Sequence, residues 1–119
     1  MTRKRSPERN QFLQNLLLDT QQGTRHWATV EHADPIADND GYTTGYHKIV
    51  IADKETGTRH AITADTIATG LNRLLRLAGP GAAQELRIAN RTNGQEGDYG
   101  PHDVDMAVQC GLFGEVVYT

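Results

Sequence analysis

The most distinctive segment of the sequence is DVDMAVQCGLFGEVVYT, residues 103–119. Its apolar residues recur at helical spacing and form two faces of one helix. The first face consists of Val104, Ala107, Val108, Gly111 and Leu112, and the second of Met106, Cys110 and Phe113. A helix that is apolar on both sides is either buried at the centre of a domain or covered by a partner. The spacing therefore predicts a central helix that ends at Gly114, with homo-oligomer formation or partner binding through its second face as the alternative.

The residues that follow Gly114, EVVYT, are rich in β-branched and aromatic side chains. Such side chains pack well on the pleated surface of a sheet, so we predict a terminal strand from Glu115 to Thr119. Further strand candidates lie upstream at His26–His32, Tyr46–Asp53 and Thr58–Ile62. Lys54–Gly57, between the last two candidates, has the composition of a hairpin loop. We therefore expect an antiparallel sheet of three to four strands.

The other helices are indicated by their end signals. Ser6-Pro7-Glu8 is a helix start, and that helix should end near Gly23. Thr63 can cap a second amphipathic helix, which Gly79-Pro80 stops. Before the last helix we expect a short helix and then a loop, at residues 81–89 and 90–101. These elements predict an α+β fold in a single domain, 1–119, with an N-terminal helix, an antiparallel sheet and amphipathic helices packed on one sheet face.

The segment from His32 to Gly45 is dense in Asp, Asn, Pro and Gly and has little to bury. It is therefore predicted to be a long loop, and long loops in small domains are often functional. Its acidic residues and the second face of the last helix are the candidate protein-binding residues: Asp34, Asp38, Asp40, Met106, Cys110 and Phe113. They favour a small non-enzymatic protein that binds another protein.

The charge distribution supports an alternative, a nucleic-acid-binding regulator. The net charge is −3, but residues 1–9 are strongly basic and the rest of the chain is acidic. Residues 1–6 are expected to form a flexible basic arm. With the exposed face of the second helix, that arm would supply the phosphate contacts, from Arg3, Lys4, Arg5, Arg73 and Arg76. The acidic body and the scarcity of aromatic residues favour protein binding over this alternative.

Patterns that carry catalysis or bind metals are weak. The histidines do not have the spacing of metal ligands. A metal or enzyme site built on His60 and His102 is therefore the least supported hypothesis. Asp38-Asn39-Asp40-Gly41 lacks the acidic first and last ligands of a calcium loop, so its Asp and Asn side chains are expected to cap their own backbone. Asp103 and Asp105 point apart on a helix, and Asp103 suits the helix N-terminus. We expect no cofactor, no metal and no enzymatic activity.

Composition places the chain in a reducing, cytoplasmic setting. Cys110 is the single cysteine, so no internal disulfide can form. The N-terminus has no apolar stretch typical of a secretory signal, and no run is long enough to span a membrane. We therefore expect a cytoplasmic protein without membrane contact.

Two blocks of the sequence resemble a family of small uncharacterised proteins of actinobacteria and their phages. The more specific block is DVDMAVQCGLFGEVVY at residues 103–118, and the second is TADTIATGL at 63–71, with a weaker likeness at His26-Trp27. Thr119 stands where the family pattern has glycine. The resemblance implies a phage or mobile-element accessory protein that binds a host or phage protein. It implies no catalytic residues, because the family has no assigned activity.

Overall fold

A computed structural model describes residues 5–119 and has an α+β architecture. In chain order its elements are α1 Pro7–Leu18, α2 Thr20–Thr24, β1 Ala28–Ala37, β2 Thr43–Asp53, β3 Arg59–Ile62, α3 Ala64–Ala78, α4 Gln84–Thr92 and α5 Pro101–Phe113. The predicted fold class, with an N-terminal helix and an antiparallel sheet, is confirmed. In the described residues, no helix is both long enough and apolar enough to cross a membrane.

The N-terminal helix begins as its sequence predicts. The Ser6 hydroxyl accepts a hydrogen bond from the Arg9 amide at 3.1 Å, and Pro7 occupies the first turn. The helix ends earlier than predicted, at Leu18, and α2 follows as a separate turn. Gly23 explains the close packing of α2, since a Cβ there would lie 2.5 Å from the Pro101 carbonyl oxygen. The chain therefore bends at Asp19 to bring α2 against the start of α5.

The sheet is antiparallel with strand order β1-β2-β3, and one of its faces is covered by helices. On the covered face Ile49 pairs with Ile62, and Val30 pairs with Ile51. The three isoleucines are buried beside the leucines of α1 and α3. The predicted turn at residues 54–57 connects β2 to β3, and Gly57 adopts a positive φ of 74° there. This part of the prediction is confirmed.

The prediction of a loop from His32 to Gly45 is wrong. The chain continues as strand β1 to Ala37 and returns as β2 from Thr43, so most of the segment is a β-hairpin. Asp34 pairs with Lys48 in this hairpin, and most of the side chains are exposed. The backbone hydrogen bonds between β1 and β2 hold these residues although few of their side chains are buried, so no clear apolar alternation marks them as strands. The three shifts in register along β1 further weaken any period-two pattern.

Helix α5 is the centre of the fold. Its backbone meets α3 closely, because Gly70 and Gly111 present no side chains to each other's helix. A Cβ on Gly70 would lie 1.7 Å from the Ala107 carbonyl oxygen, and one on Gly111 would lie 2.3 Å from the Thr66 carbonyl oxygen. The preferred interpretation of the two-sided apolar helix, central burial, is therefore confirmed.

The prediction of a terminal strand at residues 115–119 is wrong. These residues follow Gly114, which ends α5 with a φ of 83°, and they join no sheet. A side chain of α5, described below, provides the hydrogen bonds that a neighbouring strand would otherwise provide. Residues 84–92 form α4, which runs further into the predicted 90–101 loop than expected.

Candidate functional site

A buried carboxylate on α5 organises the most polar part of the interior. Asp105 is 2% exposed and accepts hydrogen bonds from three side chains. Its Oδ1 accepts from Trp27 Nε1 at 2.8 Å and from Gln109 Nε2 at 3.1 Å, and its Oδ2 lies 2.7 Å from His26 Nε2. These contacts satisfy a charge that would otherwise be costly to bury. Asp105 therefore joins α5 to the segment that leads into β1.

Gln109 holds the C-terminal tail, defined here as residues 115–119. Its side chain is fully buried, and its Oε1 accepts hydrogen bonds from the amides of Val117 and Tyr118 at 2.8 and 2.7 Å. Its Nε2 donates to the carbonyl oxygen of Tyr118 at 3.0 Å, in addition to Asp105. One glutamine side chain thus forms the backbone hydrogen bonds with the tail that a neighbouring strand would otherwise form.

Tyr118 anchors the tail through both its ring and its hydroxyl. The ring stacks on Trp27 with centroids 4.9 Å apart and planes inclined by 8°, and Phe113 packs against both rings. The hydroxyl donates to Asp53 Oδ2. That hydrogen bond raises the pKa of Tyr118 to about 12 and is the main cause that holds the pKa of Asp53 below its ordinary value. The tail is therefore fixed at its backbone, its ring and its hydroxyl.

The His26–Asp105 pair has the geometry of a base and its orienting carboxylate, but the arrangement needs a nucleophile to be catalytic. The side chain of His26 is about half exposed, with 44% of its area accessible. Within residues 5–119, no serine, threonine or cysteine side chain forms a hydrogen bond with it. The other two donors to Asp105 are the side chains of Trp27 and Gln109, and Gln109 also binds the tail. The contacts of this cluster are those of a structural anchor.

The residues considered for metal or acid–base chemistry lie apart. The His60 ring packs edge-on against Phe113 at 5.2 Å, whereas His102 is exposed in the first turn of α5. Asp103 accepts a hydrogen bond from the Gly100 amide at 2.9 Å, which is the predicted role at the helix N-terminus. No three His, Cys, Asp or Glu residues of the described chain converge in a way that could hold a metal ion.

The second face of α5 is largely covered within the chain. Cys110 is fully buried, so it cannot contact a partner, and that element of the predicted binding surface is wrong. Met106 and Phe113 are half-buried against the core. Burial is the main cause that raises the pKa of the Cys110 thiol, with Glu115 adding to the effect and Arg73 opposing it. The physical reason for the correction is that α3 packs against α5 on one side, and Phe113 packs against Trp27, Tyr118 and His60.

The turn between β1 and β2, residues Asp38–Tyr42, forms the hairpin tip and is held by its own first residue. Asp38 Oδ1 accepts hydrogen bonds from the amides of Asp40 and Tyr42, each at 2.9 Å. The Asp38 amide in turn donates to the Tyr42 carbonyl oxygen at 2.9 Å, and Gly41 has a φ of 85°. The predicted capping of backbone by these aspartates is therefore confirmed for Asp38. The tip is a locally ordered turn.

The hairpin tip presents an aromatic side chain to solvent. Tyr42 is 73% exposed, the largest exposed fraction among the large apolar residues of the described chain. Asp38 and Asp40 lie beside it in sequence, and Asp34 is exposed on the strand that leads to the tip. A tyrosine on a fixed acidic turn combines a large apolar surface with a hydroxyl and neighbouring negative charge. Such a side chain is suited to enter a pocket on another protein.

Two of the three nucleic-acid candidates that the structure describes, Arg5 and Arg73, form contacts within the chain. Arg73 donates to the carbonyl oxygens of Cys110 and Gly111 and so caps the end of α5. Arg5, within the predicted basic arm, pairs with Asp65 at 2.5 Å. Arg76 is exposed. Arg3 and Lys4 lie outside the described residues.

Sequence reasoning missed Tyr42, Gln109 and Trp27. Tyr42 could have been found, because it is the single Phe, Trp or Tyr between Trp27 and Gly45. The roles of Gln109 and Trp27 depend on a tail that returns to α5, and no local pattern encodes that return. Comparison of the chain with known protein families, curated proteins and solved structures finds no match.

Proposed function

We propose that this chain is a small non-enzymatic accessory protein that binds another protein through the hairpin tip. The observation that carries the proposal is the 73% exposure of Tyr42 on a turn that Asp38 holds in place. Interface hot spots are enriched in tyrosine, and a preorganised turn loses little conformational entropy on binding. The acidic residues around Tyr42 favour a partner surface with positive charge.

The proposed setting is the cytoplasm of a bacterial host, and the proposed partner is a host or phage protein. This part rests on the resemblance of residues 103–118 and 63–71 to small actinobacterial and actinophage proteins. An accessory protein of phage or mobile-element origin would act by occupying its partner's surface, and so interfere with a host process or defence system. Nucleic-acid binding is less favoured, because Arg5 and Arg73 are engaged within the chain.

Paired affinity capture tests the binding surface. Wild type, Tyr42→Ala and Leu77→Ala are immobilised and exposed to extract of the native host. Leu77 is the matched control, since it is 64% exposed on α3, another element of the fold. We expect a protein that wild type and Leu77→Ala retain and Tyr42→Ala loses. With that protein purified, Tyr42→Ala should weaken affinity at least about tenfold, the loss expected for a hot-spot tyrosine. Equal retention by all three variants would contradict the proposal.

A further inference from the structure

Strand β1 is an edge strand with an open side. In the sheet of the described residues it pairs with β2 alone, so the backbone groups on its other side face no strand. Such an edge is a template for another strand. Pro35 lacks an amide hydrogen and follows a shift in register after Asp34, so an added strand would pair within residues 28–34. A further shift between Val30 and His32 divides this stretch at Glu31.

A small crevice runs beside this edge on the covered face of the sheet. It is lined by Leu18, Gln21, Val30, Ala33, Tyr46 and Ile49. Leu18 lies at the end of α1 and remains 39% exposed. The end of α1 and the start of α2 lie beside β1, and the crevice opens between them. A strand added to β1 would bury this leucine as well as pair with the backbone.

The two ends of the open edge carry opposite charges. Arg25 and Lys54 border the groove beside the first residues of β1. Asp34 is exposed at the other end of the usable edge, and the acidic hairpin tip lies beyond it. Glu31, between the two ends, already pairs with Arg59 at 2.6 Å on the same sheet. The edge is therefore basic at its start and acidic at its finish.

We propose that β1 pairs antiparallel with β1 of a second copy of this chain. Antiparallel pairing across a two-fold axis places the start of each strand beside the end of the other, so that Arg25 and Lys54 of each copy meet Asp34 of its mate. The charges at the two ends are complementary in that arrangement, while the two Glu31 side chains at the axis are each paired with Arg59 of their own copy. Leu18 and the crevice of each copy are covered by the other, and the two sheets become one. Tyr42 at the hairpin tip lies outside this interface and stays available to bind a partner protein.

Sedimentation equilibrium of the full chain, from micromolar concentration to about 1 mM, tests the dimer. We expect a monomer–dimer equilibrium that weakens as salt is raised. Arg25→Glu and Asp34→Lys should each raise the dissociation constant about tenfold or more, because each places like charges opposite one another. The double variant should return it to about the wild-type value. Both positions are exposed, and circular dichroism confirms that each variant is folded.

Arg76→Glu is the matched control, because it makes the same charge change on the exposed side of α3 and should leave the equilibrium unchanged. A monomer at every concentration overturns the proposal. The proposal is also overturned if the single substitutions leave the dissociation constant of the dimer unchanged, or if the double variant does not return it to about the wild-type value. Tyr42→Ala should leave the dimer intact, so the dimer and the hairpin-tip function can fail independently.

Discussion

The indole ring of Trp27 and the phenol ring of Tyr118 lie nearly parallel, with centroids 4.9 Å apart. Trp27 precedes the first strand, and Tyr118 is the penultimate residue of the chain. Asp105 holds the indole nitrogen, and Gln109 holds the backbone of Tyr118. The two rings thus close one side of the core with residues from distant parts of the chain. The C-terminal tail is consequently a component of the folded domain, although it forms no strand.

Substitution of Tyr118 should separate the ring contact from the hydroxyl contact. Tyr118→Ala removes the stacking on Trp27 and the hydrogen bond to Asp53, and it should lower the free energy of unfolding clearly. Tyr118→Phe keeps the ring and should cost less, since it removes the hydroxyl alone. Urea denaturation monitored by circular dichroism measures both. Val117→Ala is the control, because Val117 is 51% exposed. Equal loss in the Ala and Phe variants would show that the stacking contributes nothing.

The hydrogen bond between Tyr118 and Asp53 predicts two pH dependences of stability. The folded-state pKa of Tyr118 is raised to about 12 from an ordinary value of about 10. The stability it contributes is therefore present below about pH 10 and lost as pH rises through about 12. The folded-state pKa of Asp53 is lowered. Its contribution is present above the ordinary pKa of about 4 and lost as the pH falls below that value.

Urea denaturation of wild type and Tyr118→Phe across the pH range isolates this pair from the other titrating groups. We expect the difference between the two proteins to be largest near neutral pH and to shrink toward both extremes. A phenolate absorbance titration should find one tyrosine of wild type that ionises near pH 12 and is absent from Tyr118→Phe. A difference that stays constant with pH would refute the hydrogen bond.

Asp103 and Asp105 should respond very differently to the same substitution. Asp105→Ala leaves buried donors of Trp27 and Gln109 without their acceptor and should cost about 3 kcal/mol of unfolding free energy. Asp103→Ala removes a contact with the Gly100 amide at the helix N-terminus and should cost about 1 kcal/mol. Chemical denaturation gives both values, and each variant serves as the control for the other. Similar costs would contradict the assignment of Asp105 as the organising carboxylate.

The contact of α3 with α5 depends on the absence of a side chain at Gly70. Gly70→Ala should destabilise the domain by about 3 kcal/mol or more, because its Cβ would lie 1.7 Å from the Ala107 carbonyl oxygen and the helices would have to separate. Thr69→Ala, at an exposed neighbouring position on α3, should change stability by less than about 0.5 kcal/mol. Thermal and urea unfolding distinguish the two. A Gly70→Ala variant as stable as Thr69→Ala would rule out the close approach.

The sequence predicted the elements whose signals are local. Ser6 and Thr63 cap their helices as expected, and Gly114 ends the last one. The β2–β3 turn also follows from its residue types. The central position of α5 could be inferred because apolar residues on both sides of a helix require burial. The α+β class follows from these elements together.

The parts that could not be predicted depend on contacts between distant residues. The outer part of the β1–β2 hairpin is held by backbone hydrogen bonds, and these do not require an alternating pattern of polar and apolar side chains. The side chains of Val116, Val117 and Tyr118 are typical of a strand, so the tail is predicted to join the sheet. Its backbone amides instead donate hydrogen bonds to the side chain of Gln109. The sequence neighbours of Asp105 do not indicate its role, because its partners His26 and Trp27 come from the other half of the chain.

The most direct test of the proposed function is photo-crosslinking from the hairpin tip in living host cells. A photoreactive phenylalanine analogue replaces Tyr42 in one strain and Leu77 in another, since both side chains are exposed. We expect one discrete adduct with a host or phage protein from position 42 and none of that mass from position 77. Adducts of the same mass from both positions, or from position 77 alone, would contradict the claim that the hairpin tip is the binding surface.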